Sequence, residues 1–366
     1  MQFAFCTEYS EKFRRGSLNI YEYLNRFMKR FTIVFLAVYF LGCATITGPS
    51  VSREEVERAT EQLKVKALAF QIEQLQKVSN IGNRLMLAIT SEDTKKSPQA
   101  FLGIVCASID KYFEQLYNLR VEKGVVVVVV KENSPAYRAG LQKGDVLLSL
   151  NKISISHINH FRRAVSRFKI GDLVRMEITR RDETLIIEEK IGQIPVNVPT
   201  IMVDAQEVNA ATDGRSIFIT YGLLNFVKSD DEIAAVLAHE LAHAVRGHVV
   251  KRQGWQILGL VAAVTLGIAV ESQTPGAGEA VMRGAGEIGD IFNAGYSRDL
   301  EREADYFGTK FVYSAGYDPD RCATLHERFA VEIPASMIQN YLSTHPSSPE
   351  RMLRIKKTIE ELKGQN

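Results

Sequence analysis

The stretch LAHELAHAVRGHVV, residues 237–250, places three of the chain's seven histidines in one apolar run. Burying an ionisable side chain without a partner costs several kcal/mol, so these histidines need a chemical reason to be there. His239, Glu240 and His243 form the pattern H-E-x-x-H, and positions i and i+4 share one face of a helix. Both imidazoles can then bind one ion, most typically zinc, with Glu240 beside it as a general base. The stretch therefore predicts a hydrolytic zinc site on a helix.

A catalytic zinc site also needs a third protein ligand and one open position. His248 falls one residue short of the spacing that a third histidine ligand has in metzincins, and we expect it near the helix end. The segment SRDLEREADYFG, 297–308, offers a better ligand, because Glu301 and Asp305 are spaced i, i+4. Glu301 would bind the metal, and Asp305 would orient a ligand histidine. Glu303 is the competing ligand, although its position is typical of a solvated face.

Length and charge limit the remaining possibilities. With 366 residues the chain is long enough for two domains. Its 45 basic and 43 acidic residues leave a net charge of +2, so the charge gives no indication of a nucleic-acid partner. Cys106 and Cys322 are too few and too far apart to form a disulfide framework, and we expect them to be buried thiols.

The amino terminus, residues 1–43, has the plan of a secretory signal. Met28, Lys29 and Arg30 precede the apolar run FTIVFLAVYFLG, so Met28 is a candidate for the true start. The run ends at Cys43, and Leu-Gly-Cys resembles the bacterial lipobox, whose cysteine is lipidated. The run is too short to span a bilayer comfortably, which disfavours an uncleaved signal anchor. We therefore expect a lipoprotein of the bacterial cell envelope, membrane-anchored and facing the periplasm.

Two segments precede the zinc motif. Residues 52–95 contain no proline and carry apolar residues at spacings of three and four, which predicts one long amphipathic helix. Residues 101–192 alternate strand-like runs with turns, and SPAYRAGLQKGDVLLSLN resembles a PDZ domain of the bacterial protease-associated type. The resemblance implies a peptide ligand that adds as a β-strand, with its carboxylate on Leu102, Gly103 and Ile104. The alternative is a small β-domain without a ligand.

The zinc motif, SRDLEREADYFG and the later STHPSSPER together resemble the HtpX and CAAX prenyl-protease family of zinc metallopeptidases. The resemblance covers roughly residues 52–95 and 195–366, and the family's H-E-x-x-H and E-x-x-x-D patterns match the residues named above. It implies that His345 and Arg351 lie over the cleft and hold substrate or the developing oxyanion. It also implies that substrate adds as a strand beside the zinc helix, at Asn209, Ile217, Phe218, Ile219 and Thr220.

The expected fold is α+β: a mostly helical zincin-type metallopeptidase domain with a small β-sheet, residues 195–366, and an inserted PDZ-like domain. A tandem arrangement of the two domains is the alternative. The expected activity is zinc-dependent endopeptidase cleavage of misfolded or unassembled envelope proteins, with one Zn²⁺ per chain and a peptide bound at the PDZ domain. The alternative function is a PDZ-bearing chaperone or assembly factor with a blocked metal site. The apolar run 255–270 is short for a membrane span, so we expect it to cover the active site or touch the bilayer.

Overall fold

The described part of the chain begins after the signal segment. The computed structural model describes residues 48–121, 123–249, 296–333, 345 and 349–364. The predicted lipidation site Cys43 and the apolar run 255–270 lie outside these residues. Residues 1–58 and 59–366 form two compact units, and the described elements other than the start of the first helix lie in the second. Within the described ranges, no helix combines the length and the hydropathy needed to cross a membrane.

The elements follow the predicted α+β order. The helices are α1 (Arg53–Leu87), α2 (Lys111–Tyr117), α3 (Pro135–Arg138), α4 (Ile158–Val165), α5 (Tyr221–Phe226), α6 (Asp230–Arg246), α7 (Arg298–Ser314), α8 (Asp320–Glu332) and α9 (Pro349–Gly364). The strands are β1 (Gln99–Phe101), β2 (Ile104–Ser108), β3 (Val125–Val130), β4 (Val146–Leu150), β5 (Ile153–Ser154), β6 (Leu173–Arg180), β7 (Glu183–Lys190), β8 (Gly192–Ile194), β9 (Thr200–Val203), β10 (Ala210–Thr212) and β11 (Ile217–Thr220). The mixture of helix and sheet confirms the predicted fold class.

The PDZ-like region is an antiparallel sheet in the order β2-β3-β4-β6-β7, with β5 paired to β4. Strand β3 consists of six valines, all of them buried. Val125 and Val127 pack into the core of this sheet, whereas Val126 and Val128 pack into the core that contains α1. A strand with both faces covered needs no polar alternation, which explains the unbroken valine run.

Three carboxamides on α1 hold the end of β3. Gln76 is bonded to both backbone groups of Val130, donating to its carbonyl at 2.7 Å and accepting from its N–H at 3.2 Å. One turn further along, the Asn80 oxygen accepts from the backbone N–H of Glu132 at 3.1 Å. Asn83 donates to the carbonyl of Glu132 at 3.0 Å. Since α1 also packs in the core with α6, these bonds fix the PDZ-like sheet to the helical domain.

Lys131, the residue after β3, is a buried cation. Its backbone N–H donates to the Gly103 carbonyl at 2.8 Å, and its Nζ lies 5.4 Å from the centre of the Phe101 ring. Burial lowers the pKa of Lys131 to about 8. Between that value and the roughly 10.4 of an unfolded lysine, the unfolded chain binds more protons than the native chain. The free energy of unfolding must therefore rise with pH across this window.

We expect Lys131→Met to be more stable than the parent at pH 7, by about 1–3 kcal/mol, because no charge is then buried. The variant should also lose the rise in stability between pH 8 and 10. Urea unfolding at a series of pH values measures both effects. Lys143→Met, which removes an exposed lysine of the same domain, is the control and should follow the parent. Equal pH profiles for the parent and Lys131→Met would contradict the prediction.

The helical domain contains a three-stranded sheet in the order β10-β11-β9, in which β11 is antiparallel to β10 and parallel to β9. The prediction that substrate adds at β11 was wrong, because both edges of that strand are already hydrogen-bonded. The residues concerned are Ile217, Phe218, Ile219 and Thr220. Helix α5 follows β11 directly, because the Thr220 hydroxyl caps the helix by accepting from the N–H of Leu223 at 3.2 Å.

Candidate metal centre

The zinc-motif helix α6 has clear start and stop signals. Ser229 accepts from the N–H of Glu232 at 3.2 Å, and three acidic residues fill the first turn, where they favour the helix dipole. Gly247 ends the helix in the left-handed conformation, with φ 77°. The side chains from Glu232 to Val245 are buried, including His239 and His243. The helix therefore brings its imidazoles into the core rather than to the surface.

A close approach between α6 and α7 sets the geometry of the centre. Gly308 on α7 faces His239, and a Cβ at position 308 would lie 3.1 Å from both the backbone N and the Cα of His239. A larger residue would therefore push the two backbones apart. This contact aligns the preceding turns of α7, so that Glu301 and Asp305 reach the histidines of α6.

Four buried donor groups converge on one point. They are His239, His243, Glu301 and His345, and one ligand atom from each lies within 4.8 Å of the others. The Nε2 atoms of His239 and His243 are 3.1 Å apart. The Glu301 carboxylate lies 3.4 Å from Nε2 of His239 and 3.3 Å from Nε2 of His243. The structure thus brings together the three ligands predicted from sequence and adds His345.

The donor set fits a zinc ion. Burial lowers the pKa of His243 to about 3, so its imidazole is neutral, as a metal ligand must be. The Nε2 atoms of His239 and His243 and the Glu301 carboxylate are the nitrogen and oxygen donors that zinc prefers. Glu240 is fully buried, and neither carboxylate oxygen has a hydrogen-bond partner among the described residues. A cation with a water molecule would satisfy these groups.

Asp305 and Arg351 form a layer behind the ligands. Asp305 Oδ1 lies 3.1 Å from Nδ1 of His239, where it can orient the ring. The Arg351 guanidinium contacts both Asp305 oxygens at 2.7 Å and Glu301 Oε2 at 2.8 Å. The expectation that Arg351 holds substrate is corrected: it is buried, and its nitrogens neutralise carboxylates. Burial alone would raise the pKa of Asp305, but Arg351 and His239 hold it well below its usual range.

His345 lies inside the centre rather than at its rim. Its Nδ1 is 2.9 Å from Glu301 Oε1 and 3.3 Å from His239 Nε2. Its Nε2 is 3.4 Å from Glu240 Oε1. Burial raises the pKa of Glu240, as suits a general base working near neutral pH. His345 thus separates the predicted base from the predicted ligands in this arrangement.

Sequence reasoning missed the surroundings of His243. Glu303 does not point at the centre; its carboxylate contacts Arg246 at 2.7 Å and His248 at 3.1 Å. The Tyr296 ring stacks on His243 with 3.8 Å between centroids. Of these residues, only His248 could have been expected near His243, because it lies close to the motif in sequence.

The remaining predicted site residues lie at or next to the ends of strands. Asn209 is buried at the start of β10, and its side-chain oxygen has no hydrogen-bond partner among the described residues. Leu102 and Gly103 connect β1 to the edge strand β2. Their carbonyls accept from the N–H groups of Ala136 at 3.0 Å and Lys131 at 2.8 Å. Gly103 has φ 89°, and a Cβ there would lie 2.1 Å from Ser134 Cβ, so the loop requires glycine.

Comparisons with known proteins agree with this geometry. Peptidase family M48 matches residues 176–359, half of the chain, and the PDZ domain matches residues 100–191. The mitochondrial metalloendopeptidase OMA1 of Arabidopsis thaliana is 32% identical over 41% of this chain and 29% of its own length. Metalloprotease YcaL of Escherichia coli is 29% identical over 46% of this chain and 64% of its own.

The PDZ-like region has relatives of its own. A probable periplasmic serine endoprotease, DegP-like, of Hahella chejuensis is 31% identical over 29% of this chain and 23% of its own length. The chain spans less than half the length of the two OMA1 proteins that it matches, 29% and 42%. The predicted metallopeptidase resemblance is confirmed by the family match over the helical domain. The chain belongs to peptidase family M48 and carries a PDZ domain.

Proposed function

We propose that the protein is a zinc endopeptidase of the bacterial cell envelope that cleaves misfolded or unassembled proteins. The observation that carries the proposal is the convergence of His239, His243 and Glu301 beside a buried, unbonded Glu240. The proposed location rests on the signal-like residues 1–43 and on relatives whose names include a periplasmic endoprotease.

The chain supplies the groups that peptide hydrolysis requires. A bound zinc ion would polarise the scissile carbonyl and acidify the attacking water. Glu240 takes the proton of that water and passes it to the leaving amine. Asp305 holds the ring of His239 in position, and Arg351 balances the charge of Glu301 and Asp305 behind the site. The core around α6 excludes bulk water from these groups, which strengthens their electrostatic interactions.

We place the substrate at β10, one of the two edge strands of the three-stranded sheet. An extended substrate can add there by backbone hydrogen bonds, and β10 also packs against α6. The Asn209 carboxamide, buried at the start of β10, offers an oxygen that can accept from the substrate backbone. Strand addition recognises the backbone of the substrate rather than its side chains, which suits an enzyme that acts on unfolded proteins of varied sequence.

We also propose that the PDZ domain binds a carboxyl-terminal peptide. Strand β2 is at one edge of its sheet, and the Leu102–Gly103–Ile104 loop adjoins its start. Such a peptide would extend the sheet beyond β2 and place its carboxylate at the loop. The domain would then select substrates by their last residues.

Metal content tests the proposed centre. We expect the parent to contain one zinc ion per chain and Glu301→Gln to lose it, because an amide is a far weaker zinc ligand than a carboxylate. Elemental analysis after dialysis provides the measurement. Asp299→Asn changes an exposed carboxylate in the first turn of the same helix and should keep the metal. A metal-free parent, or retention by Glu301→Gln, would refute the ligand assignment.

One observation favours a second function, an envelope chaperone or assembly factor with a shut site. His345 supplies a fourth donor and lies against Glu240, whereas a hydrolytic site needs one position open. We propose instead that His345 closes a working site and leaves it when substrate arrives. His345→Ala should then keep zinc and cleave casein several-fold faster than the parent. Absence of cleavage by both proteins, with zinc present, would support the chaperone function.

A further inference from the structure

His248, two residues after the end of α6, packs back against the helix. Gly247 turns the chain, and both its N–H and that of His248, at 2.9 Å, donate to the carbonyl of His243. The imidazole of His248 is thereby carried under that of His243 and is 6% exposed. The two Nδ1 atoms are 3.1 Å apart. The turn that ends the helix therefore places the His248 imidazole against Nδ1 of His243, the ring nitrogen that does not face the proposed metal.

The direction of each hydrogen bond follows from metal binding. When His243 binds through Nε2, its proton resides on Nδ1, which then donates to Nδ1 of His248. His248 must accept at Nδ1 and carry its own proton on Nε2. That Nε2 lies 3.1 Å from Glu303 Oε2, which accepts it. One tautomer of His248 satisfies both contacts, and the tautomer of His243 that leaves Nε2 open to the metal is selected with it.

The far end of this arrangement is anchored. Glu303 Oε1 accepts from Nε of Arg246 at 2.7 Å. Arg246 also donates from Nη1 to the Asp93 carbonyl at 3.2 Å, and its guanidinium lies 4.2 Å from the centre of the Phe307 ring. Nδ1 of His239 has a direct carboxylate partner in Asp305, whereas Nδ1 of His243 is connected to the Glu303 carboxylate through His248.

We propose that His248 is a positioning residue for the metal centre and that, with Glu303 and Arg246, it fixes the tautomer and ring orientation of His243. This inference rests on the zinc site proposed above. It assigns Glu303 a role that its half-buried position on α7 would not suggest. It also explains why a histidine follows the helix-ending glycine.

Metal affinity measured in the full chain tests the proposal. His248→Leu keeps bulk but offers no acceptor, and we expect its zinc dissociation constant, from competition with a chromophoric chelator, to rise about 10–100-fold. His248→Asn places an oxygen near the position of Nδ1 and should recover affinity to within about fivefold of the parent. Co²⁺ absorption should change for the leucine variant and stay close to the parent for asparagine.

One further variant tests the proposal independently of His248, and another serves as a control. Glu303→Ala removes the acceptor of His248 Nε2 from the surface side, so it should weaken zinc binding several-fold even if His248→Leu fails to fold. His160→Ala removes a histidine of the PDZ domain and should bind zinc as the parent does. Parent-like affinity of both His248→Leu and Glu303→Ala, or equal losses for leucine and asparagine, would overturn the proposal. A parent that binds neither Zn²⁺ nor Co²⁺ would overturn the zinc site itself, and the inference with it.

Discussion

Glu240→Gln is expected to abolish peptide cleavage while the protein keeps its zinc. The amide has nearly the shape of the carboxylate but cannot accept the proton of the attacking water. General-base catalysis contributes about 10²–10⁴ in rate, so the loss should be at least of that order. Because Glu240 is proposed as the base and not as a ligand, the metal content should equal that of the parent. Casein cleavage and elemental analysis on the same sample provide the two measurements.

The control for this variant lies on the same helix. Asp230→Asn changes an exposed acid in the first turn of α6, where the ion pair with Lys77 has a distance of 2.6 Å. Exposed pairs contribute little to stability, so this variant should cleave at the parent rate. Parent-like cleavage by Glu240→Gln would remove Glu240 from the mechanism. Loss of zinc from it would instead mean that the carboxylate binds the metal.

Arg351→Met is expected to lower the free energy of unfolding by about 3–5 kcal/mol, because it leaves the carboxylates of Glu301 and Asp305 buried without their cation. Both carboxylates and Arg351 are nearly inaccessible to solvent, so water cannot replace the guanidinium. The free energy of unfolding of Arg351→Lys should lie between those of the parent and Arg351→Met, since lysine restores the charge but not the paired contacts to Asp305. Chemical denaturation of the metal-free chain measures the loss without a contribution from zinc.

Arg354 is the matched control because it lies one turn further along α9. Its guanidinium is exposed and pairs only with Glu350 at 2.9 Å among the described contacts. Arg354→Met should therefore change the free energy of unfolding by less than about 0.5 kcal/mol. Equal losses for the two arginine variants would mean that Arg351 contributes only packing. Zinc added to Arg351→Met should recover part of the loss, since the cation offsets the Glu301 charge.

The sequence predicted the features that depend on local spacing. Helical geometry indicated that the members of each i, i+4 pair on α6 and α7 share one face, and the family resemblance implied that His239, His243, Glu301 and Asp305 meet. The turn residues of the PDZ-like region likewise indicated its strands. These features follow from short-range periodicity, which one chain displays.

The features that it did not predict depend on pairings distant in sequence. No pattern in the sequence SIFIT, residues 216–220, indicates whether strand β11 lies at the edge or in the centre of its sheet. That position depends on the parallel pairing of β11 with β9. Arg351 was expected to face substrate. The sequence does not show how α9 packs on α7, and this packing is what brings Arg351 to Glu301 and Asp305. His248 was expected only near the helix end, since the left-handed turn at Gly247 decides where its ring points.

The carboxamide contacts of Gln76, Asn80 and Asn83 have a consequence for the cleavage pattern. Because they fix the PDZ sheet to α1, which shares a hydrophobic core with α6, the two proposed peptide sites are held at a constant separation. A chain bound by its last residue could then be cut no closer to that end than the number of extended residues needed to span this separation. Carboxyl-terminal products from unrelated substrates would therefore share a minimum length.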